Sequence, residues 1–335
     1  YQDLLRVAVA SAGNDHRLGA NEAPPAIISM FLGDELTEIL EALETGKSYA
    51  GHEHSDLAIG VHVLPKFPKD NTDRNRTSPF AFTGNKFEFR SLGSSASISE
   101  TNTVINTIVA ESLRQFADEL ESAQDFKATL HDLIVREIKA HKRIIFNGNG
   151  YSDAWVAEAE KRGLLNLHST VDALPYMISD KNIKLFTSHK VFSETEIRSR
   201  YEIKLEEYVK VLNIEAETAL TMAQREILPT VMHYTGDMAK RAADIKALAL
   251  PTKAEDSLLP KLCADTDALY ERIEALKTAI TSADHDADAL TAARYEHDVV
   301  IPAMNEVRAV ADELETLVDE RDWPFPTYAD LLFRV

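Results

Sequence analysis

A long apolar seam in the second half of the chain constrains the fold more than any other sequence feature. Its side chains recur in steps of three and four residues, which is the spacing of one face of an α-helix. Ser193-Glu194-Thr195-Glu196 precedes the seam and has the sequence of a helix-capping box. Pro229 follows the seam, and proline kinks or ends a helix. The seam consists of Ile197, Tyr201, Leu205, Tyr208, Leu212, Ala216, Ala219, Ala223 and Ile227.

Two further apolar seams follow along the chain, and the last is expected to stop near Trp323-Pro324. Amphipathic helices bury their apolar faces against one another, so three seams predict long antiparallel helices. We interpret the seams as packing surfaces. The second seam contains Leu262, Leu269, Ile273, Leu276 and Ile280, and the third contains Val307, Val310, Leu314 and Leu317.

The first part of the chain predicts a small antiparallel sheet accompanied by helices. Ser78–Phe82 and Lys86–Arg90 have the pattern of two short strands, joined through Thr83-Gly84-Asn85. Glycine at such a position supplies turn geometry. With the helical second half, the predicted fold class is α+β.

The second of these strands alternates charged and aromatic residues. A period of two places Lys86, Glu88 and Arg90 on one face and both phenylalanines on the other. A row of cation, carboxylate and cation is suited to a metal ion and anionic substrates. The same alternation is equally typical of a solvated face on a half-buried antiparallel sheet.

A polar loop near the start of the chain carries Arg17 and Glu22 and leads into two prolines. Prolines are tolerated in a first helical turn, so the apolar run 26–32 predicts a helix that continues through Leu43. Loops on rigid elements often carry function. The alternative is that Asn21 or Glu22 only caps the helix.

Asn147-Gly148-Asn149-Gly150 is a second candidate loop. A tetrad with glycines can hold phosphate, but this one matches neither the P-loop nor the dinucleotide fingerprint. The sequence favours a plain turn.

Charge and cysteine content exclude several classes of protein. The formal net charge of −19 argues against nucleic acid or an anionic membrane as the main partner. No apolar run is long enough to cross a membrane. The single cysteine, Cys263, excludes an intramolecular disulfide and indicates a reducing, cytoplasmic location. The chain begins at Tyr1 within a helical pattern, from which we expect the C-terminal part of a longer protein.

Several stretches together resemble the glutamine synthetase family, specifically its large type III class. The resemblance continues through the helices to a Trp-Pro-Phe-Pro-Thr-Tyr ending and covers nearly the whole chain. The stretches are residues 10–25 (ASAGNDHRLGANEAPP), 75–80 (NRTSPF), 84–90 (GNKFEFR) and 146–151 (FNGNGY).

The resemblance implies ATP-dependent ligation of ammonia to glutamate through a γ-glutamyl phosphate. It implies Mg²⁺ or Mn²⁺ as cofactor and large homo-oligomeric rings as the assembly. It also implies that residues 1–125 are the C-terminal part of the catalytic domain and that residues 126–335 are a helical C-terminal region.

The resemblance further implies roles for the charged side chains. Glu88 resembles the family's metal-ligand glutamate, and a carboxylate is a suitable ligand for a hard divalent cation. Arg90 resembles the residue that binds the carboxylate of glutamate. Lys86 occupies the place of an arginine near the nucleotide phosphates. Arg76 resembles the arginine of an Asn-Arg-Ser motif that stabilises the transferred phosphate.

Glu22 resembles the flap glutamate that closes the site and helps to deprotonate ammonium, and Arg17 resembles the nearby substrate arginine. The chain departs from the family in two places. Ala81 stands where other classes have a second arginine, and the loop between Arg17 and Glu22 is one residue shorter. The family's other metal ligands and its small N-terminal domain have no counterpart here, so we expect this chain alone to be inactive.

Two other interpretations remain open from the sequence. One is a γ-glutamyl–amine ligase, which keeps the fold and accepts a larger amine in place of ammonia. The other is a non-catalytic helical scaffold or interface module without affinity for nucleotide.

Overall fold

The computed structural model divides the chain into two compact units, Tyr1–Tyr201 and Glu202–Val335. The described residues are mostly helical with one small sheet, which is compatible with the predicted α+β class. The first unit extends well beyond residue 125, and the proposed family-domain boundary there stays a prediction. The structure describes residues 1–20, 23–49, 51, 77–284, 286–326 and 328–333.

The first unit contains the sheet together with several helices, most of them short. They are α1 (Gln2–Val7), α2 (Ala12–Asp15), α3 (Asp34–Thr45), α4 (Ser99–Glu121), α5 (Phe126–His141), α6 (Asp153–Lys161), α7 (Thr170–Ala173) and α8 (Asp180–Ser188).

Among the residues that the structure describes, the sheet has three strands in the order β1 (Met30–Phe31), β2 (Phe80–Phe82) and β3 (Phe87–Phe89). β1 runs parallel to β2, and β2 runs antiparallel to β3. The predicted hairpin is therefore confirmed, but the prediction of a purely antiparallel sheet was wrong, because β1 adds a parallel strand. The turn of the hairpin is closed by the Thr83 N–H, which donates to the Lys86 carbonyl at 2.9 Å.

The prediction of a helix from residue 26 was wrong. Met30 and Phe31 instead form β1, and the helix begins only at Asp34. Gly33 separates the two elements with φ of 80°, a left-handed value that glycine adopts without strain. An apolar run is compatible with a strand or a helix, and here pairing with β2 selects the strand.

The segment before the glycine tetrad attaches to β1. The Phe146 N–H donates to the Met30 carbonyl at 2.9 Å. The Asn147 Oδ1 then accepts from the N–H groups of Leu32 and Gly33, at 3.0 and 3.1 Å. This side chain therefore fixes the connection between β1 and α3.

Gly150 lies where two loops meet. A Cβ added to it would stand 2.2 Å from the Thr77 carbonyl oxygen and 3.4 Å from the Pro25 Cγ. Only glycine allows the backbone of residue 77 to approach this closely. The tetrad is thus a packing turn at its last residue, in agreement with the favoured interpretation.

We expect Gly150→Ala to lower the free energy of unfolding by about 1–3 kcal/mol, because the added methyl group overpacks a buried contact. Gly236→Ala is the matched control, since its Cβ would meet nothing within 4 Å and it lies inside a helix. Urea unfolding of the two variants measures the difference. Equal stability of Gly150→Ala and the parent would contradict the close contact.

A buried ion pair joins the first helices to α7. Arg6 is 1% exposed, and its Nη2 donates to the Asp15 Oδ1 at 2.9 Å while its Nε donates to the Leu167 carbonyl at 2.7 Å. The Asp15 Oδ2 accepts from the Thr170 N–H at 2.7 Å, at the start of α7. Burial raises the pKa of the Asp15 carboxyl, and the opposing influence of Arg6 and Thr170 is smaller.

Most of the remaining helices are long, and they lie mainly in the second unit. The predicted capping box precedes the first of them: the Ser193 N–H donates to the Glu196 side chain at 2.7 Å, and the Glu196 N–H donates to the Ser193 Oγ at 3.3 Å. The helices are α9 (Glu194–Met222), α10 (Leu228–Ala247), α11 (Lys253–Thr281), α12 (Ala289–Tyr295), α13 (Ile301–Glu315) and α14 (Tyr328–Phe333).

The helix that carries the first seam does not end at Pro229. A π-helical turn, Ala223–Ile227, links α9 to α10 just before this proline. Glu296–Val300 is a second π-helical turn, and Pro302 follows it at the same offset. The proline ring conflicts with the carbonyl four residues earlier, which lies inside the wider π turn in both cases.

The second and third seams, together with the first seam from Ala216 onward, pack into the core of the second unit, in agreement with their interpretation as packing surfaces. α11 packs against both α10 and α13. The third helix ends earlier than predicted, at Glu315. In the described part of the chain no helix is both long and apolar enough to cross a membrane. The most deeply buried core residues are Ala216, Val231, Leu262, Leu269, Leu276, Val300 and Leu314.

Candidate functional site

Strand β3 brings the predicted charged row together. The Lys86 Nζ lies 3.1 Å from the Glu88 Oε1. The Arg90 Nε and Nη2 lie 3.1 and 3.0 Å from the Glu88 Oε2. Exposure of these side chains falls from 65% for Lys86 to 14% for Arg90. Glu88 is thus held between one exposed and one largely buried cation.

The phenylalanines lie on the opposite face, as the period of two predicts. The Phe80 ring lies 5.7 Å from the Phe89 ring, and the Phe82 ring lies 5.2 Å from the Phe87 ring. These rings pack on one another more than into a core, because Phe87 remains 49% exposed. The expected packed aromatic face is therefore only partly buried.

Ala81 lies opposite Glu88 in the register of the hairpin and is fully buried. Directly paired residues on neighbouring strands project from the same face of the sheet. The departure from the family's second arginine therefore lies on the face of the sheet that carries the charged row, at a buried position.

The electrostatics keep Glu88 ionised. Hydrogen bonds from Lys86 and then from Arg90 lower the pKa of its carboxyl below the ordinary value of 4.5. The carboxylate is the form that an approaching cation requires.

We expect Lys86→Ala to raise the Glu88 pKa toward 4.5, because it removes the strongest of these hydrogen bonds. ¹³C NMR titration of labelled glutamate, assigned by comparison with Glu88→Gln, measures this pKa. Arg90→Ala should shift it in the same direction. A pKa unchanged in both variants would contradict the ion-pair geometry.

The described residues do not by themselves form a metal site. Both Glu88 oxygens already contact cations. No group of three or more potential metal-binding side chains occurs among the residues that the structure describes. Glu88 can supply one oxygen ligand, and further ligands have to come from elsewhere.

Arg17 is connected to the end of β3 by a residue that the sequence analysis did not select. Its Nη1 donates to the Asn14 Oδ1 at 2.7 Å. The Asn14 Nδ2 donates to the carbonyl of Ser91, the neighbour of Arg90, at 2.9 Å. Asn14 stood within a matching stretch, but a polar loop residue gives no sign in sequence that it will be 4% exposed.

Glu22 and Arg76 lie outside the described residues, so their predicted roles stay predictions. Residues next to them in the sequence make contacts that the structure does describe. Leu18 forms a β-bridge with Ala23. Thr77, directly after Arg76, packs on Gly150.

The fold and the site together describe an α+β protein in which one strand carries a row of cation, carboxylate and cation. Residues 129–246 match the profile of the glutamine synthetase C-terminal domain. The chain is 41% identical to a glutamine synthetase of Butyrivibrio fibrisolvens, over 99% of this chain and 48% of that protein. It is 40% identical to a type-3 glutamine synthetase of Dictyostelium discoideum, over 99% of this chain and 46% of that protein.

A glutamine synthetase of Bacteroides fragilis is 34% identical, again over 99% of this chain and over 47% of its own length. The chain therefore belongs to the glutamine synthetase family. It spans about half the length of these relatives.

Proposed function

We propose that the protein carrying this chain ligates ammonia to the γ-carboxylate of glutamate with the hydrolysis of ATP. The observation that carries the proposal is a sequence identity of 34–41% to three glutamine synthetases over 99% of the chain. The charged row on β3 supports it, because phosphoryl transfer requires positioned cations. Since the chain spans about half the length of its relatives, we assign the activity to the whole protein. We expect this chain alone to be inactive.

The proposed chemistry has two steps. A γ-carboxylate oxygen of glutamate attacks the γ-phosphorus of ATP, and ADP leaves. The nitrogen of ammonia then attacks the acyl carbon, and phosphate leaves. Glu22 accepts a proton from ammonium before this attack, and Arg76 stabilises the charge of the transferred phosphoryl group.

The row on β3 supplies binding groups in this scheme. Arg90 and Arg17 bind the carboxylate of glutamate, since guanidinium groups match carboxylates in shape and charge. Lys86, the more exposed cation, contacts the nucleotide phosphates. Glu88 contributes one ligand to Mg²⁺ or Mn²⁺, whose remaining ligands lie outside the described residues.

Family membership supports two further proposals. One is a cytoplasmic location, and the other is assembly into large homo-oligomeric rings. Size-exclusion chromatography with light scattering on the full-length protein tests the assembly.

We expect the full-length protein to form γ-glutamyl hydroxamate from glutamate, hydroxylamine and ATP with Mg²⁺ or Mn²⁺. Glu88→Ala should lower this activity at least about a hundredfold, a typical loss when a group that stabilises transferred charge is removed. Glu119→Ala is the matched control, because that glutamate is also paired with an arginine and its side chain is 36% exposed, against 35% for Glu88. Full activity in Glu88→Ala would refute the assignment of Glu88.

Acceptor preference separates the ligase alternatives. We expect turnover with ammonium to exceed turnover with polyamines, measured as ADP release. A preference for polyamines would instead identify a γ-glutamyl–amine ligase. Absence of both activities, together with no heat of Mg-ATP binding in calorimetry of the full-length protein, would favour the non-catalytic scaffold.

A further inference from the structure

We propose that Asn14 is a positioning residue that fixes the guanidinium of Arg17 relative to Arg90, so that both cations meet the same glutamate. This inference rests on the proposed function, which assigns the two arginines to substrate. Asn14 itself touches no reacting atom in this scheme. Its role is to hold Arg17 in one orientation before substrate binds.

The hydrogen bonds of Asn14 determine its orientation. The Nδ2 group donates to the Val9 carbonyl at 2.7 Å and to the Ser91 carbonyl at 2.9 Å. Both of its donors are therefore used, and the amide cannot rotate without breaking both hydrogen bonds. The Oδ1 consequently faces Arg17 and accepts from its Nη1 at 2.7 Å.

The position of Asn14 links two parts of the site. Ser91 follows Arg90 directly, and the Arg90 N–H is itself held by the Pro79 carbonyl at 2.9 Å within the hairpin. One buried amide thus connects the loop that carries Arg17 to the strand that carries Arg90. A flexible arginine loses side-chain entropy on binding, and a fixed one has already lost it.

Gly93 leaves room for this arrangement. A Cβ at this position would lie 3.4 Å from the Arg17 Nη1 and 3.7 Å from the Asn14 Oδ1. An alanine there would just touch the pair. The branched side chain of valine would occupy the space of the guanidinium and displace it.

The test compares steady-state kinetics of the full-length protein and its variants. We expect Asn14→Leu, which is similar in size and removes the acceptor for Arg17, to raise the KM for glutamate about tenfold or more. The KM for ATP should stay within about twofold, because Arg17 is assigned to glutamate alone. Gly93→Val should raise the glutamate KM in the same way, and Gly93→Ala should have little effect.

Asn182→Leu is the matched control. Asn182 is fully buried, and its Nδ2 donates to the Asp3 carboxylate at 3.0 Å and to the Tyr176 carbonyl at 2.8 Å. The substitution removes a comparable pair of buried hydrogen bonds without contact to either arginine. We expect both leucine variants to lower the thermal midpoint, and only Asn14→Leu to change the glutamate KM.

Three results would overturn the proposal: an unchanged glutamate KM in Asn14→Leu, an equal rise in the KM for ATP, or an equal rise in Asn182→Leu. If Asn14→Leu does not fold, Gly93→Val provides the test. An unchanged glutamate KM in Gly93→Val then overturns the proposal. Failure of the proposed function is distinguishable, because the unmodified protein would then form no γ-glutamyl hydroxamate.

Discussion

The arrangement of the first unit depends on how α2 is held. This helix has four residues, and one turn of helix is unstable by itself because nucleation fixes several dihedral angles for few hydrogen bonds. Two adjacent side chains stabilise it from different sides. Asp15 binds Arg6 and caps α7, and Asn14 binds the chain after β3. The contacts of Arg6 with Asp15 and with the carbonyls of Leu167 and His168 offset part of the cost of burying its charge. Arg17 follows two residues after this helix.

Local charge on β3 differs from that of the whole chain. The net charge is −19, yet the row of two cations and one carboxylate is positive. A protein that is acidic overall has to meet an anionic substrate with a local cluster of this kind. Lys86, Glu88 and Arg90 neutralise one another in part, which limits the repulsion between two cations on one short strand.

Structural features that depend on residues close together in the sequence were predictable. The hairpin follows from alternation and a glycine turn, and the three seams follow from helical periodicity. The start of α3 was not predictable, because the run 26–32 fits a strand or a helix and only pairing with β2 decides. The continuation past Pro229 depends on a π-helical turn, for which the sequence carries no simple signal. Asn14 and Gly150 act through partners at Ser91 and Thr77, more than seventy positions away in the chain.

Under the proposed function, the ion pairs of β3 couple the binding of anions to the binding of cations. The Glu88 oxygens contact Lys86 and Arg90, so a divalent cation has to compete with them for the carboxylate. Phosphate or glutamate oxygens compete with Glu88 for those same two cations. Each ligand therefore releases the group that the other one needs, and the two should bind more tightly together than alone. The row on β3 is thus best understood as a set of exchangeable ion pairs that holds its side chains in place until substrates replace them.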